Sequence, residues 1–444
     1  MKSISKERLT SDSSGCLSVT APIDMELEEE QSEEQVLFRR RLMRWLWHFY
    51  ARQFMLFFVM ALRIAILFSR RQRRMSIDGR KVLLTGRFDS NNWIINHIGP
   101  LAASKQCSRL WMVSDTPVPG LPKVIAIYPP KWIARIVGRT TARMLTFCYV
   151  AFVKRPDVVG GFNIMINGIM AIIIGRLIGA NSMYFCVGGP AEIRDGGIRS
   201  SEHCFREMKT PDQIVERRFL KVISESDIII TMGTSAVTFF KEKGINSDFH
   251  VVSGGINPVK YQPSKSPPEY DLIVTGRLVE IKRIDIFLLA IKKVIKDLPD
   301  LKVAIVGDGN LIDEFRALAQ SLGIDHNVHF AGHQGNIEDW LCNSKVFVLT
   351  SDSEGLSLSM MEAMMCGLPA VVSDVGDLGD LVKHGVNGFL VPRRSPDAFA
   401  ERIIELLSDT EKLESFSKAA RCSALRHTTQ ATTDQWNCIL ANIC

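Results

Sequence analysis

The chain has 444 residues, of which 46% are hydrophobic and 23% are charged. This is a globular composition, which excludes a chain that is disordered throughout, and the length predicts two domains of ordinary size. The formal net charge of +6 is modest, and the positive charge is concentrated near the N-terminus instead of being spread along the chain. We expect no nucleic-acid partner.

The first 35 residues are acidic. Six acids lie between Glu26 and Glu34, and few apolar residues accompany them. A segment of high charge and little apolar surface cannot bury enough to fold, so we predict a disordered acidic tail over residues 1–35. This start also lacks the basic and then apolar order of a secretory signal, and we therefore expect a cytoplasmic protein.

An arginine-rich segment follows over residues 36–78, in which aromatic residues are interleaved with the arginines. Such a mixture favours an anionic membrane surface. Its apolar stretch, residues 54–68, contains Arg63 as its only charge and is shorter than the roughly 20 residues of a membrane span. We predict a membrane-associated amphipathic helix and a peripheral or monotopic protein at the inner face of the cell membrane. A spanning helix and a buried structural helix are the alternatives.

The ten cysteines are scattered along the chain, and none stands at a C-x-x-C or Cys/His spacing that is typical of metal sites. We expect reduced thiols that mostly fill small apolar positions. No metal site is predicted, and no cofactor is expected.

From residue 79 onward, short apolar runs alternate with longer helical stretches, which predicts an α/β fold with parallel sheets and crossover helices. A first Rossmann-like domain is predicted over residues 79–257, a proline-rich linker over 258–270, and a second Rossmann-like domain over 271–425. The predicted strands are Lys81–Thr85, Leu110–Ser114, Asp157–Val159, Ser182–Cys186, Asp227–Thr231 and His250–Val252 in the first domain, and Asp271–Thr275, Lys302–Val306, Val328–Phe330, Val346–Leu349, Ala370–Val372 and Gly388–Val391 in the second. Two doubly wound domains that face each other would place a ligand site in the cleft between them.

Two cations stand near the end of the strand Asp271–Thr275. Arg277 belongs to Gly276-Arg277-Leu278, and Lys282 follows at the start of the next helix. A guanidinium can chelate two phosphate oxygens and an ammonium adds a compact charge, so the pair suits a diphosphate leaving group. A solvated helix start is the alternative.

Glycine turns follow the next two strands. Gly307-Asp308-Gly309 would let the backbone approach a bound donor, or it simply reverses the chain. Gly332, in Phe330-Ala331-Gly332, could bring main-chain groups to the edge of a nucleobase.

The strongest signal is the segment from Thr350 to Pro369, which holds Glu354 and Glu362. Gly355, Leu356 and Ser357 would start a helix whose free amides and positive dipole end seat a diphosphate. Glu362 lies two turns further on, where it could accept hydrogen bonds from both ribose hydroxyls. Glu354 would face the donor sugar. A charged helix face is the alternative, but methionines surround Glu362, and such apolar neighbours disfavour a merely solvated acid.

The second domain resembles the family-4 retaining glycosyltransferases of the two-domain GT-B fold. Six motifs occur in the order of that family: Gly276-Arg277-Leu278 with Lys282, Val306-Gly307-Asp308-Gly309, Phe330-Ala331-Gly332, the glutamate pair, Cys366-Gly367-Leu368-Pro369, and Val386-Asn387-Gly388-Phe389-Leu390-Val391. The resemblance implies a metal-independent transfer of a hexose from a UDP- or GDP-sugar to a lipid-linked, polysaccharide or small-molecule acceptor. It also implies that a helix in residues 426–444 crosses back to brace the first domain.

The same resemblance implies roles for single residues. Arg277 and Lys282 would hold the donor diphosphate, Glu362 the ribose, Glu354 the sugar and Gly332 the base. Arg277, Lys282 and Glu354 are thus the predicted catalytic residues, and a phosphate oxygen of the donor would help to deprotonate the acceptor.

The first domain matches the family less well, and its acceptor-side residues are weaker candidates: Gly86, Arg87, Asn163, Gly188 and Gly189. His97 and His203 are weaker still, and core or surface roles are favoured for both. Two other functions stay open at this point. One is a different GT-B reaction such as sugar-nucleotide epimerisation, and the other is a non-catalytic membrane-bound partner protein.

Overall fold

A computed structural model describes residues 23–69, 79–88, 90–200, 204–264 and 266–443. The described strands form two sheets in which every pair is parallel. Helices cover both faces of each sheet, so the predicted fold of two doubly wound α/β domains is confirmed.

The first sheet has seven strands in the order β3-β2-β1-β4-β5-β6-β7. Its strands are β1 Arg80–Thr85, β2 Cys107–Val113, β3 Val124–Ile127, β4 Val158–Phe162, β5 Asn181–Cys186, β6 Ile228–Thr231 and β7 Asp248–Val251. β3 was not predicted. It is a four-residue, half-buried edge strand, so it lacks the long apolar run that marks the central strands.

The second sheet has six strands in the order β10-β9-β8-β11-β12-β13. Its strands are β8 Tyr270–Thr275, β9 Val303–Val306, β10 Val328–Gly332, β11 Ser344–Leu349, β12 Ala370–Ser373 and β13 Gly388–Val391. All six lie within a few residues of the predicted ones. They are easy to predict because strands that are buried on both faces read as continuous apolar runs.

The helices of the described chain are α1 Ile23–Leu67, α2 Asn91–Ala103, α3 Lys131–Val137, α4 Arg139–Lys154, α5 Ile169–Ile178, α6 Gln213–Ile223, α7 Thr234–Glu242, α8 Ile284–Val294, α9 Ile312–Leu322, α10 Ile337–Cys342, α11 Leu358–Met365, α12 Leu378–Leu381, α13 Pro396–Leu407, α14 Thr410–Ala424 and α15 Thr429–Asn442. In the first domain, α2 and α15 cover one face of the sheet, while α4 and α5 cover the other. A π-helical turn, Ile164–Gly168, precedes α5.

Helix α1 begins at Ile23, so the predicted disordered tail is wrong for residues 23–35. Residues 1–22 lie outside the described residues, as do the arginines of 70–78. One face of α1 is buried in the first domain through Ala51, Met55 and Leu62, against α5 and α6. The acidity of residues 23–35 favours disorder, but these residues continue the same helix whose later part packs against the first domain.

Polar contacts also fix α1 to the first domain. Asp212, which caps the N-terminus of α6, is buried and accepts hydrogen bonds from His48 Nδ1 at 2.6 Å and from Arg52 Nε at 2.9 Å. The opposite face of α1 exposes large apolar side chains. By length and composition Arg39–Leu67 could cross a membrane, but one face of this helix is buried against the folded domain.

The chain crosses back to the first domain after α14. Ile256, at the end of the first domain, pairs with Thr428, and α15 then packs against α2. Trp436 and Leu440 are buried in the same apolar cluster as the first-domain strands. The C-terminal helix therefore belongs spatially to the first domain. The chain passes between the two domains twice, and these two passages lie side by side where Ile256 pairs with Thr428.

Candidate donor and acceptor site

The strand ends of the second domain approach one another with no room for side chains. A Cβ atom on Gly307 would overlap the carbonyl oxygen of Gly276, and one on Gly309 would overlap that of Leu278. Gly276 and Gly307 also have φ values of 141° and 144°, which favour glycine. The Leu278 amide donates to the Asp308 carbonyl at 2.9 Å. These glycines therefore hold the loops after β8 and β9 together as one surface.

Gly332 extends this surface to a third strand. Its carbonyl accepts a hydrogen bond from the Gly307 amide at 2.8 Å, and its φ of 68° turns the chain at the end of β10. Asp308 is exposed, and its carboxylate accepts from the Gly309 amide at 2.7 Å. The structure thus brings the predicted donor-binding residues Gly307, Asp308 and Gly332 together at one sheet edge.

Lys282 and Glu354 meet at this edge. The Lys282 Nζ atom lies 2.6 Å from Glu354 Oε1, and both side chains are largely buried. Arg277 lies in the segment between β8 and Lys282, is exposed, and in the part of the chain that the structure describes forms no side-chain hydrogen bond or ion pair. The arrangement therefore combines one neutralised ion pair with one guanidinium that is open to an anion.

The loop that carries Glu354 is fixed to the turn that carries Lys282. Thr350 donates its hydroxyl to the Lys282 and Arg283 carbonyls, at 3.1 and 2.9 Å. Asp352 accepts two hydrogen bonds from Arg394, at 2.8 and 2.7 Å, and pairs with Arg283 at 3.4 Å. These arginines lower the pKa of Asp352, so its carboxylate stays charged and the loop keeps its tie to both arginines.

Gly376, after β12, sets the position of Glu354 from the other side. Its φ is 58°, and a Cβ atom there would overlap the Glu354 carbonyl oxygen. Gly355 lies next to the first domain, because a Cβ on it would stand 3.6 Å from the Val187 carbonyl and 3.7 Å from Met232. The Glu354 loop is therefore held between a backbone of its own domain and the ends of β5 and β6.

Helix α11 begins with Ser357 as its N-cap, whose hydroxyl accepts from the Met360 amide, so the helix starts slightly after the predicted Gly355. Gly355, Leu356 and Ser357 form the approach to this helix. Glu362 is buried among the methionines of α11 and is only 3% exposed. Its carboxylate accepts a hydrogen bond from the Asn92 amide of the first domain at 2.7 Å. Burial raises the pKa of Glu362, and the Asn92 hydrogen bond opposes this rise.

The acceptor-side candidates lie at the strand ends of the first domain. Gly86 is enclosed by Phe88 and Phe162 after β1, and Arg87 next to it is exposed. Asn163, after β4, has a φ of 62°, and its side-chain Oδ1 is buried without a hydrogen-bond partner among the described residues. An unpaired buried acceptor is costly, which distinguishes Asn163 from the other acceptor-side candidates.

Glu192 organises the Gly188-Gly189 turn, a role that the sequence did not reveal. This buried carboxylate accepts hydrogen bonds from the Gly188 and Ile164 amides and from the Tyr184 hydroxyl. It therefore joins the loops after β4 and β5. Gly188 and Gly189 lie in the cleft wall, where their positions depend on this one acid.

The two domains also meet at the N-terminus of α7, which has no side-chain cap of its own. Asp377 accepts from the Ser235 amide at 2.7 Å, and Asp380 accepts from the Thr234 amide at 2.7 Å and its hydroxyl at 2.6 Å. Both acids belong to the second domain. A carboxylate at a helix N-terminus satisfies free amides and the helix dipole, so these contacts stabilise domain closure.

The sequence pattern does not reveal the roles of Asn92, Glu192, Asp377 and Asp380. Asp377 follows a strand end, as the predicted residues do, so the position of β12 offered a signal for it. Asn92 offered none, because its role depends on a contact between the domains. His97 is buried, and burial lowers its pKa to about 3, which fits the favoured core role. His203 lies outside the described residues. Among the described residues, no group of three or more His, Cys, Asp or Glu side chains could hold a metal.

Comparison with known proteins agrees with the geometry of the second domain. Residues 259–422 match the family described as Glycosyl transferases group 1. The second domain is therefore a glycosyltransferase group 1 domain, as its motifs predict. The family-4 and retaining parts of the resemblance stay predictions.

Curated relatives match part of this chain. The N-acetyl-alpha-D-glucosaminyl L-malate synthase of Bacillus anthracis is 27% identical over 45% of this chain and 55% of its own length. The poly(glycerol-phosphate) alpha-glucosyltransferase of Bacillus subtilis is 26% identical over 45% of this chain and 32% of its own length. The match thus spans about half or less of each of these two relatives.

A solved structure shares the complete two-domain fold. Anabaena HepE in complex with UDP-glucose superposes with a TM-score of 0.63 and 17% identity, over 81% of this chain and 99% of that one. At this level of identity the likeness shows the fold alone.

Substituting Gly376 should disturb the position of Glu354. Gly376→Ala combines a positive φ with an overlap at the Glu354 carbonyl, whereas Gly385→Ala has a similar φ of 76° and open space around its Cβ. We expect Gly376→Ala to destabilise the second domain by about 1–3 kcal/mol more than Gly385→Ala, because the added clash forces the loop to move. Urea unfolding of both variants measures this difference, and equal midpoints would show that the loop is not held by this contact.

Proposed function

We propose that the protein is a retaining, metal-independent glycosyltransferase that transfers a hexose from a UDP- or GDP-sugar to a lipid-linked, polysaccharide or small-molecule acceptor at a membrane surface. The observation that carries the proposal is the convergence of Arg277, Lys282 and Glu354 at one sheet edge of a glycosyltransferase group 1 domain. The intact cations and acids favour this function over a non-catalytic partner protein.

The donor diphosphate would lie between Arg277 and Lys282. The exposed Arg277 guanidinium can bind two phosphate oxygens, and Lys282 adds a second charge on the side of Glu354. Negative charge grows on the diphosphate as it leaves, so cations that are already in place stabilise the transition state without a metal. The backbone surface of Gly307 and Gly332 would receive the nucleoside.

The two glutamates would bind the ribose and the sugar of the donor. One carboxylate oxygen of Glu362 accepts a hydrogen bond from Asn92, and the carboxylate can still accept hydrogen bonds from ribose hydroxyls. Glu354 would bind sugar hydroxyls, with Lys282 fixing its orientation at 2.6 Å. Closure of the domains through Asp377 and Asp380 would keep water away from the reacting bond.

Retention requires attack on the face from which the diphosphate leaves. The bond from C1 to the phosphate oxygen breaks, the bond from C1 to the acceptor oxygen forms on the same face, and the acceptor proton passes to the departing phosphate. No enzymic base is then needed. Support comes from the names of the two curated relatives, which specify alpha-linked products.

The acceptor would enter from the first domain, where Asn163, Arg87 and the Gly188-Gly189 turn line the cleft. Helix α1 would hold this domain on the membrane. Because its Ala51 and Leu62 face is buried against the domain, the opposite face, which exposes apolar side chains, is the one available to lipid. An in-plane helix therefore fits the structure better than a span.

Substitution of the two glutamates should separate donor binding from turnover. We expect Glu362→Ala to weaken UDP or GDP binding by about 10-fold to 100-fold, because charged hydrogen bonds to ribose are lost. Glu354→Ala should lower kcat by on the order of 100-fold, because the sugar loses its orientation, with a smaller effect on nucleotide affinity. Glu314→Ala, at an exposed position on α9, is the control. Calorimetry with each nucleotide and release of nucleotide from the sugar donor give the two readouts, and unchanged values for both glutamate variants would sink the assignment.

Replacing exposed apolar residues of α1 should release the protein from membranes without exposing its core. Serine at Trp45 and Phe57 of α1, and at Phe68 directly after it, removes large side chains that are 60%, 65% and 72% exposed. We expect partition onto neutral vesicles to fall on the order of 100-fold or more, because each apolar side chain contributes about 1.5–3 kcal/mol when it is fully buried.

The control for this experiment carries serine at three exposed apolar positions that lie outside the first domain and α1: Val259, Val386 and Leu425. It should float with vesicles as wild type does. Equal flotation of the α1 variant and the wild type would place the membrane contact elsewhere.

A further inference from the structure

Helices α3 and α4 form an exposed surface at the outer edge of the first sheet, which we call the α3–α4 surface. Helix α3 has no buried residue, although it carries Trp132 and Ile136, which are 65% and 74% exposed. On α4, Leu145, Tyr149 and Phe152 are also exposed. Large apolar side chains that lie together on a surface mark an interaction site and require a partner to cover them.

A cavity of about 690 Å³ lies beside this surface, between α3 and the ends of β2 and β3. Its wall includes three cations, Lys131, Arg135 and Arg139, together with Tyr128 and Thr116. The volume is in the range of small-molecule sites. Tyr128 is fixed in the wall, since its hydroxyl accepts from the Val118 amide at 3.1 Å.

The charge of the cavity is strongly positive. Its one acid, Asp115, is already neutralised by the buried Arg143, whose guanidinium donates to it at 2.9 Å, and Arg139 donates to the Asp115 carbonyl at 3.1 Å. Lys131 and Arg135 have no hydrogen bond or ion pair with any described residue. Two exposed and unpaired cations at the rim of a cavity are complementary to an anion, and phosphate is an anion that Arg and Lys side chains bind well.

The cavity adjoins both the cleft and the membrane-facing side of the domain. Thr116 in its wall donates its hydroxyl to the Phe88 carbonyl at 2.6 Å, in the loop that carries Arg87. On the other side, α5 packs against both α1 and α4, so these two helices cover the same face of the sheet. The exposed side chains of α1 and α4 therefore belong to one side of the domain.

We propose that this cavity binds the phosphate-bearing head group of an anionic membrane lipid, with Trp132 and Ile136 of the α3–α4 surface inserted into the bilayer beside it. The cations supply the charge for the head group, and the apolar rim supplies the contact with the acyl region. This inference rests on the proposed function only for the membrane setting. It deepens that function by naming the class of lipid, an anionic phospholipid, that the first domain binds close to the loop of Arg87.

The test is flotation of the full chain with vesicles of neutral phosphatidylcholine and with vesicles that contain about one third phosphatidylglycerol. Wild type should prefer the anionic vesicles. K131E/R135E should lose much of that preference, with binding to anionic vesicles at least about tenfold weaker, because each basic residue near an anionic surface contributes about 1 kcal/mol to binding. The exposed arginines of α1, which this variant keeps, account for the preference that remains. Binding to neutral vesicles, which depends on α1, should not change. W132S/I136S is expected to bind both kinds of vesicle more weakly.

The matched control is K292E/K296E, which changes the net charge equally at exposed lysines of the second domain. It should keep the preference for anionic vesicles. Equal anionic binding by K131E/R135E and this control would overturn the proposal while leaving the α1 contact intact, and a wild type that binds no vesicle would overturn both membrane claims. UDP calorimetry on the same variants reports the donor site separately, so a failed donor assignment cannot be mistaken for a failed lipid site. Inorganic phosphate that competes fully with the vesicles would show a free-anion site and would also overturn the proposal.

Discussion

Close backbone contacts at the strand ends of the second domain are the constraint on which the rest of the site depends. Gly307 approaches Gly276, Gly309 approaches Leu278, and Gly376 approaches Glu354, each where a Cβ atom would overlap a carbonyl oxygen. Interiors that are packed this tightly transmit small displacements instead of absorbing them. The loops that carry Arg277 and Glu354 are therefore closely constrained, as a preorganised electrostatic site requires.

Contacts between the domains give this site its second half. Asn92 reaches Glu362 from the first domain, while Asp377 and Asp380 of the second domain cap α7 of the first. Burial raises the pKa of Asp377, as it does for Glu362. Hydrogen bonds from the first domain, donated by the Ser235 amide and the Asn92 side chain, oppose this rise, so the charge of both acids depends on the contact between the domains. Glu362, a predicted donor residue, thus also takes part in a contact between the two domains.

Much of this arrangement could be predicted from the sequence because it is local. Buried strands read as apolar runs, and the residues that follow parallel strands meet at one edge, which is why Lys282 and Glu354 could be placed together. The contact of Asn92 with Glu362 joins positions 270 residues apart and depends on how the domains close. No periodicity encodes it. The edge strand β3 and the helical start of α1 were missed for a related reason, since short edge elements and acidic helices carry weak apolar patterns.

The central claim is that the second domain binds a nucleotide sugar through Arg277, Lys282 and the two glutamates. A crystal structure with UDP tests it most directly. The account predicts a diphosphate within hydrogen-bond distance of Arg277 and Lys282, and ribose hydroxyls on the Glu362 carboxylate that Asn92 now contacts at 2.7 Å. A UDP molecule bound with its diphosphate away from both cations, or with its ribose remote from Glu362, would contradict the account.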